Sequence, residues 1–90
     1  MQKLKIVVTG RVQGVGYRFY AVHQAHVFNI RGRVQNSMNG KVEITAIGNE
    51  ADLELFIQEL WKGPSMSRVK NVEASELSSA KGYSNFSIGY

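Results

Sequence analysis

The order of strand-like and helix-like patterns of apolar residues along the chain constrains its fold more than any other feature of the sequence. Apolar and polar side chains alternate, as in a strand with one face on the core, around residues 4–8, 30–34 and 42–46. Residues from Arg68 to about Ser78 form a longer predicted strand, and a short alternation over 86–90 closes the chain. The predicted inward positions of the first three strands are Leu4, Ile6, Val8, Ile30, Gly32, Val34, Val42, Ile44 and Ala46.

Two segments between these strands have the period of an amphipathic helix. The first spans about residues 17–28. The second follows Asn49, a predicted N-cap with the acidic residues Glu50 and Asp52 in the first turn. Lys62-Gly63-Pro64 is expected to stop it. The apolar stripes of the two helices are Tyr17, Ala21, Ala25 and Phe28, and then Leu53, Phe56, Ile57 and Leu60.

Several residues predict where these elements turn or end. Gly10 is expected to end the first strand, and Asn29 to take a left-handed conformation after the first helix. Asn39-Gly40 predicts a hairpin, and Gly48-Asn49 a turn after the return strand. The valines in the segment 69–72 are out of phase with strict alternation, which predicts a β-bulge in the long strand.

The resulting order is strand, helix, strand, strand, helix, strand, with a short strand at the end. This order predicts an α+β fold, the ferredoxin-like βαββαβ sandwich. Its sheet would be mainly antiparallel and four-stranded, with two helices on one face and a short extra C-terminal strand. Ninety residues are enough for one such domain over 1–90. The fold by itself decides no function, because unrelated enzymes and binding proteins share it.

Composition narrows the classes of function. The formal net charge of +4 favours anionic partners without choosing between a phosphate ester, nucleic acid and lipid headgroups. The absence of cysteine excludes disulfides, thiolate nucleophiles and thiolate zinc sites. No apolar stretch near the N-terminus is long enough for a signal peptide or a membrane span, so we expect a cytoplasmic protein that does not bind membranes.

A glycine-rich segment, Thr9–Arg18, joins the first strand to the first helix. Its glycines Gly10, Gly14 and Gly16 would let backbone N–H groups approach a ligand, and the helix start adds unpaired donors and a positive dipole end. Arg18 in the first helical turn would direct a guanidinium to the same place. The segment therefore fits an anion site, and it equally fits a tight strand-to-helix turn with one surface arginine.

Asn36 is the second candidate site residue. Its amide could hold a water molecule, or it could simply open the hairpin as a turn residue. If the first two strands were neighbours, the glycine-rich segment and the hairpin would meet, and Arg18 would lie close to Asn36. His23 and His26 stand three residues apart, but without a third ligand they are predicted to be solvated helix residues, and no metal site is expected.

The segment Gly10–Arg18, which reads Gly-Arg-Val-Gln-Gly-Val-Gly-Tyr-Arg, resembles the first signature of the acylphosphatase family. The C-terminal segment 83–90 is also similar to that family. Two positions depart from its pattern, since Tyr17 replaces the usual Phe or Met and Arg33 replaces an aromatic residue. The residues that match the second signature, in the spacing of the family, are Gly32, Val34, Gln35, Asn36, Gly40, Val42 and Gly48.

The resemblance implies an enzyme, a hydrolase that cleaves the carboxyl–phosphate bond of acyl phosphates without a metal or other cofactor. By position, Arg18 and Asn36 are the catalytic residues: Arg18 helps hold the phosphoryl group and Asn36 orients the attacking water. No protein base belongs to the motif, so a phosphate oxygen of the substrate is expected to take the proton of the water. The phosphate-binding residues implied by the resemblance are Gln13, Gly14, Val15, Gly16, Tyr17 and Arg18.

The departures from the family pattern at Tyr17 and Arg33 leave open how these side chains pack and how tightly the substrate binds. The Tyr17 hydroxyl needs a partner or water if it is buried. Arg33 is an outward charge by strand parity, or else a second cation that tightens phosphate binding. The expected partner is a small-molecule acyl phosphate, with inorganic phosphate as a product. No nucleic-acid or membrane partner is expected, and the protein is expected to be a monomer.

Two other classes of function are alternative hypotheses. One is a regulatory domain that binds a phosphorylated ligand without turnover. The other is RNA binding on the open face of the sheet, which is weaker because the strands lack the aromatic-rich pattern of RNA-binding ferredoxin-like domains.

Overall fold

Five strands and two helices are found in residues 1–78 and 82–89, the part of the chain that the computed structural model describes. Tyr90, which the sequence placed in the last strand, lies outside the described residues, as do residues 79–81. Within these described ranges, neither helix is long and apolar enough to cross a membrane. In chain order the elements are β1 (Gln2–Arg11), α1 (Tyr17–Val27), β2 (Arg31–Asn36), β3 (Val42–Gly48), α2 (Glu50–Lys62), β4 (Arg68–Glu76) and β5 (Phe86–Ile88).

The strands form one sheet in the order β4-β1-β3-β2-β5. The pairs β1–β3, β1–β4 and β2–β3 are antiparallel, and β5 adds to β2 in parallel. This is the predicted ferredoxin-like arrangement of four antiparallel strands with a short C-terminal strand at one edge. The fold class read from the sequence is therefore confirmed.

The core lies between one face of the sheet and both helices. All nine inward positions predicted for the first three strands are buried. In the helices, Tyr17, Ala21 and Ala25 of α1 and the corresponding stripe of α2 enter the same cluster. Phe86 on β5 packs edge-on against Phe56 with ring centroids 6.0 Å apart, so the short edge strand is tied to the helix layer.

Two predicted strand ends are wrong, and for the same physical reason. β1 continues through Gly10 to Arg11, because these residues pair with Val69 and Arg68 at the start of β4. β3 likewise includes Gly48, which pairs with Gln2. A strand ends where its partner ends, and local turn propensity at a glycine is overridden when a neighbouring strand supplies hydrogen bonds.

The predicted β-bulge is confirmed. Thr9 pairs with Asn71 and Gly10 with Val69, so Lys70 is the extra residue on β4. Gly10 has a φ of 130°, and a Cβ there would overlap the carbonyl oxygen of Arg68. The bulge therefore needs a residue without a side chain on the opposite strand.

The ends of the helices follow their predicted local chemistry. Asn29 has a φ of 57°, and the N–H of Ile30 donates to the carbonyl of Ala25 at 2.8 Å, which closes a Schellman motif after α1. At the start of α2, the Asn49 side chain accepts from the N–H of Asp52 at 2.8 Å. Both predictions are confirmed because each rests on contacts within a few residues of the chain.

Gly32 on β2 gives a first prediction, on stability. Its φ is 143°, and a Cβ would overlap the carbonyl oxygen of Thr45 on the adjacent strand. We expect Gly32→Ala to lower the free energy of unfolding by at least about 3 kcal/mol in urea denaturation, because strain and a backbone overlap add together. The matched control is Gly82→Ala, where a Cβ meets no atom of the described residues within 4 Å and the free energy of unfolding should change by no more than about 0.5 kcal/mol. Equal stability of the two variants would contradict this account.

Candidate active site

The glycine loop, residues 12–16, connects β1 to α1 and has an open side. Gly14 and Gly16 have φ values of 72° and 80°, in the left-handed region. Among the described residues, a Cβ at either position would meet nothing within 4 Å, in contrast to Gly10 and Gly32. The loop glycines are therefore required by the course of the backbone, and the space beside them is accessible to a ligand.

The loop leads into the start of α1, which is arranged differently from the start of α2. Gly16 is the N-cap of α1, no side chain among the described residues caps it, and its first turn has no acidic residue. The start of α2 has both, a capping Asn49 and the acidic pair Glu50 and Asp52. Among the described residues, the first-turn N–H groups of α1 thus have neither a side-chain cap nor an acidic residue of their own turn beside them, which favours a bound anion.

Gln13 connects this loop to the turn between β2 and β3. Its side-chain Nε2 donates to the carbonyl oxygens of Ser37 and Lys41, each at 2.9 Å. We call these two hydrogen bonds the Gln13 bridge. The bridge brings the glycine loop next to the turn that begins after Asn36.

The route to this proximity differs from the one predicted. β1 and β2 are not neighbours, because β3 lies between them. Both are antiparallel to β3, so they run in the same direction and end at the same edge of the sheet. Val42 at the start of β3 pairs with Val8 on one side and Asn36 on the other. The loop and the hairpin therefore meet across one intervening strand.

Asn36 is the last residue of β2, and it shares the helix-side face with Val34. Its side-chain Oδ1 is buried and has no hydrogen-bond partner among the described residues. A buried acceptor left unpaired costs roughly 1–3 kcal/mol, so a water molecule or a ligand is expected there. The turn is closed by Ser37, whose N–H and hydroxyl both donate to the carbonyl of Lys41, at 2.8 and 3.1 Å. Asn36 is therefore a strand residue and not the residue that opens the turn.

The other residues implied to bind phosphate divide between the candidate site and the core. Arg18, half-buried, is the second residue of α1 and lies in the turn that carries the outward N–H groups. Val15 packs against the core, and Tyr17 is buried with 1% of its surface exposed. Val15 and Tyr17 thus face the interior, and only their backbones are available to a ligand.

Other candidates from the sequence lie away from the loop. His23 and His26 are exposed on α1, as predicted for solvated helix residues. Arg33 is exposed on the sheet face opposite the helices, where it lies against Gly89. The outward orientation expected from strand parity is confirmed, and the alternative of a second phosphate-binding cation loses its support.

The Tyr17 hydroxyl has a partner that the sequence did not indicate. It donates to the carbonyl of Leu60, in the last turn of α2, at 2.6 Å. That carbonyl cannot bond to residue 64 in the helical pattern, because Pro64 has no N–H. Tyr20 similarly donates to the carbonyl of Glu59 at 2.8 Å. Two tyrosines of α1 therefore donate hydrogen bonds to carbonyls in the last turn of α2, and these bonds fix the turn of α1 that carries Arg18.

The second prediction follows from this contact. Tyr17→Phe should lower the free energy of unfolding by about 1–3 kcal/mol, because the Leu60 carbonyl loses its donor in a buried position. Tyr20→Phe is the matched control and should cost less, since the carbonyl of Glu59 also accepts from the N–H of Gly63 at 3.0 Å. Thermal and urea denaturation measure both variants, and a larger loss from Tyr20→Phe would contradict the assignment.

The pH dependence of the same variants gives a second measurement. Burial, and to a smaller extent Tyr20, raises the pKa of Tyr17 above its ordinary value. Above about pH 10 the unfolded chain loses this proton while the folded chain keeps it, so stability falls as the pH rises. Tyr17→Phe lacks this group, and its deficit relative to wild type should shrink above about pH 10.

Comparison with known proteins identifies the family to which this architecture belongs. The family model described as Acylphosphatase matches residues 4–88. The chain belongs to the acylphosphatase family. A curated acylphosphatase from Bacillus licheniformis is 38% identical over 90 residues, which cover 100% of both chains. The family resemblance read from the sequence is thereby confirmed, and the chain is a hydrolase that acts on acyl phosphates.

Solved structures of the family have the same fold. The crystal structure of an acylphosphatase from Bacillus subtilis superimposes with a TM-score of 0.95 at 38% identity and covers 100% of both chains. The structure of an acylphosphatase from Coxiella burnetii gives a TM-score of 0.91 at 31% identity, covering 98% of this chain and 92% of that one. The position of the glycine loop and of the β2–β3 turn is thus part of a shared architecture.

Sequence reasoning missed the side chains that hold the site together. The family resemblance implies that Gln13 binds phosphate, whereas its side chain makes the bridge to Ser37 and Lys41. The signal available was a polar residue inside an otherwise apolar and glycine-rich loop. Its partners are 24 and 28 residues away, so no local pattern could have named them.

Proposed function

We propose that this hydrolase cleaves the carboxyl–phosphate bond of a small-molecule acyl phosphate to give a carboxylate and inorganic phosphate. Arg18 and the backbone N–H groups from Gln13 to Arg18 bind the phosphoryl group, and Asn36 orients the attacking water. The observation that carries the proposal is the Gln13 bridge. It supports the proposal because it joins the glycine loop to a hairpin that begins after Asn36, whose buried Oδ1 has no hydrogen-bond partner among the described residues.

Binding of the phosphoryl group follows from the donors at the loop. The guanidinium of Arg18 offers several N–H groups in a planar fork, which suits the oxygens of a phosphate. The outward N–H groups at the start of α1 add donors that need no reorganisation when charge develops on the phosphoryl oxygens. Binding and stabilisation of the transition state therefore use the same groups.

The water is oriented by the amide of Asn36. Its Oδ1 can accept a hydrogen bond from the water, which leaves a lone pair of the water oxygen free to attack phosphorus. The new P–O bond forms as the bond from phosphorus to the acyl oxygen breaks, and the electron pair of that bond leaves on the carboxylate. Alignment of the water oxygen, the phosphorus and the leaving acyl oxygen is the main requirement of phosphoryl transfer.

The proton of the water goes to a phosphoryl oxygen of the substrate in this proposal. A carboxylate is a good leaving group that needs no proton at neutral pH, so no protein acid is required. The net reaction joins one water to one acyl phosphate and yields a carboxylic acid and phosphate, in the ionised forms set by the pH. The charge at the site is supplied by Arg18 and backbone dipoles, and the proposal includes no metal or cofactor.

A hydrolysis assay with acetyl phosphate, with and without a chelator, tests the proposal. We expect turnover that is unchanged by the chelator and competitively inhibited by inorganic phosphate. Loss of activity in the chelator would overturn the metal-independent mechanism. Protection of the fold by phosphate without any hydrolysis would instead favour a regulatory domain that binds phosphorylated ligands.

A further inference from the structure

We propose that the side chain of Gln13 is a positioning residue for this reaction. Through the Gln13 bridge, it sets where the glycine loop, and hence the bound phosphoryl group, lies relative to the amide of Asn36. The inference rests on the proposed function, and it assigns to this side chain a role separate from the backbone N–H of the same residue.

The geometry of the bridge suits this role. The amide nitrogen of Gln13 has two hydrogens, and each is directed to one carbonyl oxygen at 2.9 Å. The two carbonyls belong to Ser37 and Lys41, at the two sides of the turn. Two directional bonds from one planar group fix both the distance and the orientation of the loop relative to the turn.

The turn does not depend on Gln13 for its own closure. The carbonyl of Lys41 also accepts from the N–H of Ser37 at 2.8 Å, and the carbonyl of Ser37 accepts from the N–H of Gly40 at 3.4 Å. Removing the Gln13 amide therefore leaves both carbonyls with a donor. Its loss should change the position of the loop relative to the turn more than the integrity of either.

The loop is also held to the protein by apolar side chains. Val12 is buried with 1% of its surface exposed, and Val15 packs against the core. Such contacts hold the loop to the protein but are not directional. Gly14 and Gly16 lie in the left-handed region within the same loop. The carbonyl of Gly16 accepts from the N–H of Tyr20 at 3.0 Å, but that bond lies within the start of α1. Among the described residues, the bridge is thus the directional contact that joins the loop to the β2–β3 turn.

Catalysis is more sensitive to such a shift than binding. Arg18 and the loop N–H groups move together with the phosphoryl group that they hold, so the affinity for phosphate is retained. The water is held from the other side, by Asn36, and a misplacement of about 1 Å between the reacting groups can cost about 100-fold in rate. Loss of the bridge should therefore appear in kcat and not in KM.

The test compares Gln13→Met, which keeps the length of the side chain, with Gln13→Asn, which keeps the amide but cannot reach both carbonyls. With acetyl phosphate, we expect kcat to fall at least about 10-fold in both, while KM and the inhibition constant of inorganic phosphate change less than about 3-fold. The melting temperature should fall by less than about 8 °C, because no carbonyl is left without a donor. The control is Gln35→Met, next to Asn36 on the opposite face of β2, with unchanged kinetics.

A double-mutant cycle with Asn36→Ala separates positioning from general damage. In that background the Gln13 substitutions should lower the residual kcat by less than about 2-fold, because no amide is left to be positioned. Multiplicative losses, or a phosphate inhibition constant that rises as much as kcat falls, would overturn the inference. If Gln13→Met does not fold, Gln13→Asn carries the cycle alone.

Failure of the inference and failure of the proposed function give different results. Normal kinetics of the Gln13 variants beside a strongly impaired Asn36→Ala would overturn only the positioning role. Full turnover of Asn36→Ala would remove the proposed role of that amide, and the inference with it.

Discussion

Arg18→Ala should weaken phosphate binding and turnover together, each on the order of 100-fold or more. The guanidinium is proposed to hold the phosphoryl group in the bound substrate and in the transition state, so both KM and kcat depend on it. A loss of 100-fold corresponds to about 2.7 kcal/mol, the lower end of the range found when one preorganised hydrogen-bond donor is removed from an active site. Arg18→Lys should recover part of the binding through its charge but little of the turnover, because an ammonium lacks the planar fork.

Steady-state kinetics with acetyl phosphate and competition by inorganic phosphate measure this effect. The matched control is Arg33→Ala, which removes an arginine on the opposite face of the sheet and should leave both constants within about 2-fold of wild type. A normal phosphate inhibition constant in Arg18→Ala would contradict its role as the phosphate holder. Melting temperatures of both variants exclude loss of fold as the cause.

Asn36→Ala is expected to remove turnover and spare binding. The methyl group can neither accept from nor donate to a water molecule, so kcat should fall on the order of 100-fold. The affinity for phosphate should stay within about 3-fold of wild type, since Arg18 and the loop N–H groups are intact. The substitution also removes the buried Oδ1, which has no hydrogen-bond partner among the described residues, so the free energy of unfolding should not fall by more than about 1 kcal/mol.

Single-turnover kinetics and phosphate competition separate the two quantities. Asn71→Ala, an exposed asparagine on β4, is the control for the substitution itself. An Asn36→Ala variant that loses phosphate binding as strongly as turnover would show that the amide contacts the phosphoryl group and does not act through water. The contrasting profiles of Arg18→Ala and Asn36→Ala thus test the division of roles more sharply than either variant alone.

Much of the fold was predictable because its determinants are short-range. The alternation of apolar residues named nine inward positions between Leu4 and Ala46, and all nine are buried. Asn29 and Asn49 marked the ends of helices correctly, since capping involves residues three to five positions apart. The ends of β1 and β3 at Arg11 and Gly48 were missed, because they depend on which strand lies alongside.

The candidate site was predictable in its parts and not in its assembly. The glycines, Arg18 and Asn36 were identified by residue type, order and resemblance to a family. Their expected proximity was argued from neighbouring strands, but β3 separates β1 from β2. The loop and the turn meet because the two strands run in the same direction and because Gln13 spans the distance between them.

The sequence by itself determined the order of the strands and helices, the glycine-rich segment between β1 and α1 and the membership of a hydrolase family. These features depend on backbone propensity and on a motif that is contiguous in the chain. Only the tertiary structure decided that Gln13 would bridge to Ser37 and Lys41. It also decided that the Tyr17 hydroxyl would donate to the Leu60 carbonyl, 43 residues away, in place of the N–H that Pro64 lacks. Hydrogen bonds over such separations are set by how the layers pack, and packing is a property of the whole chain.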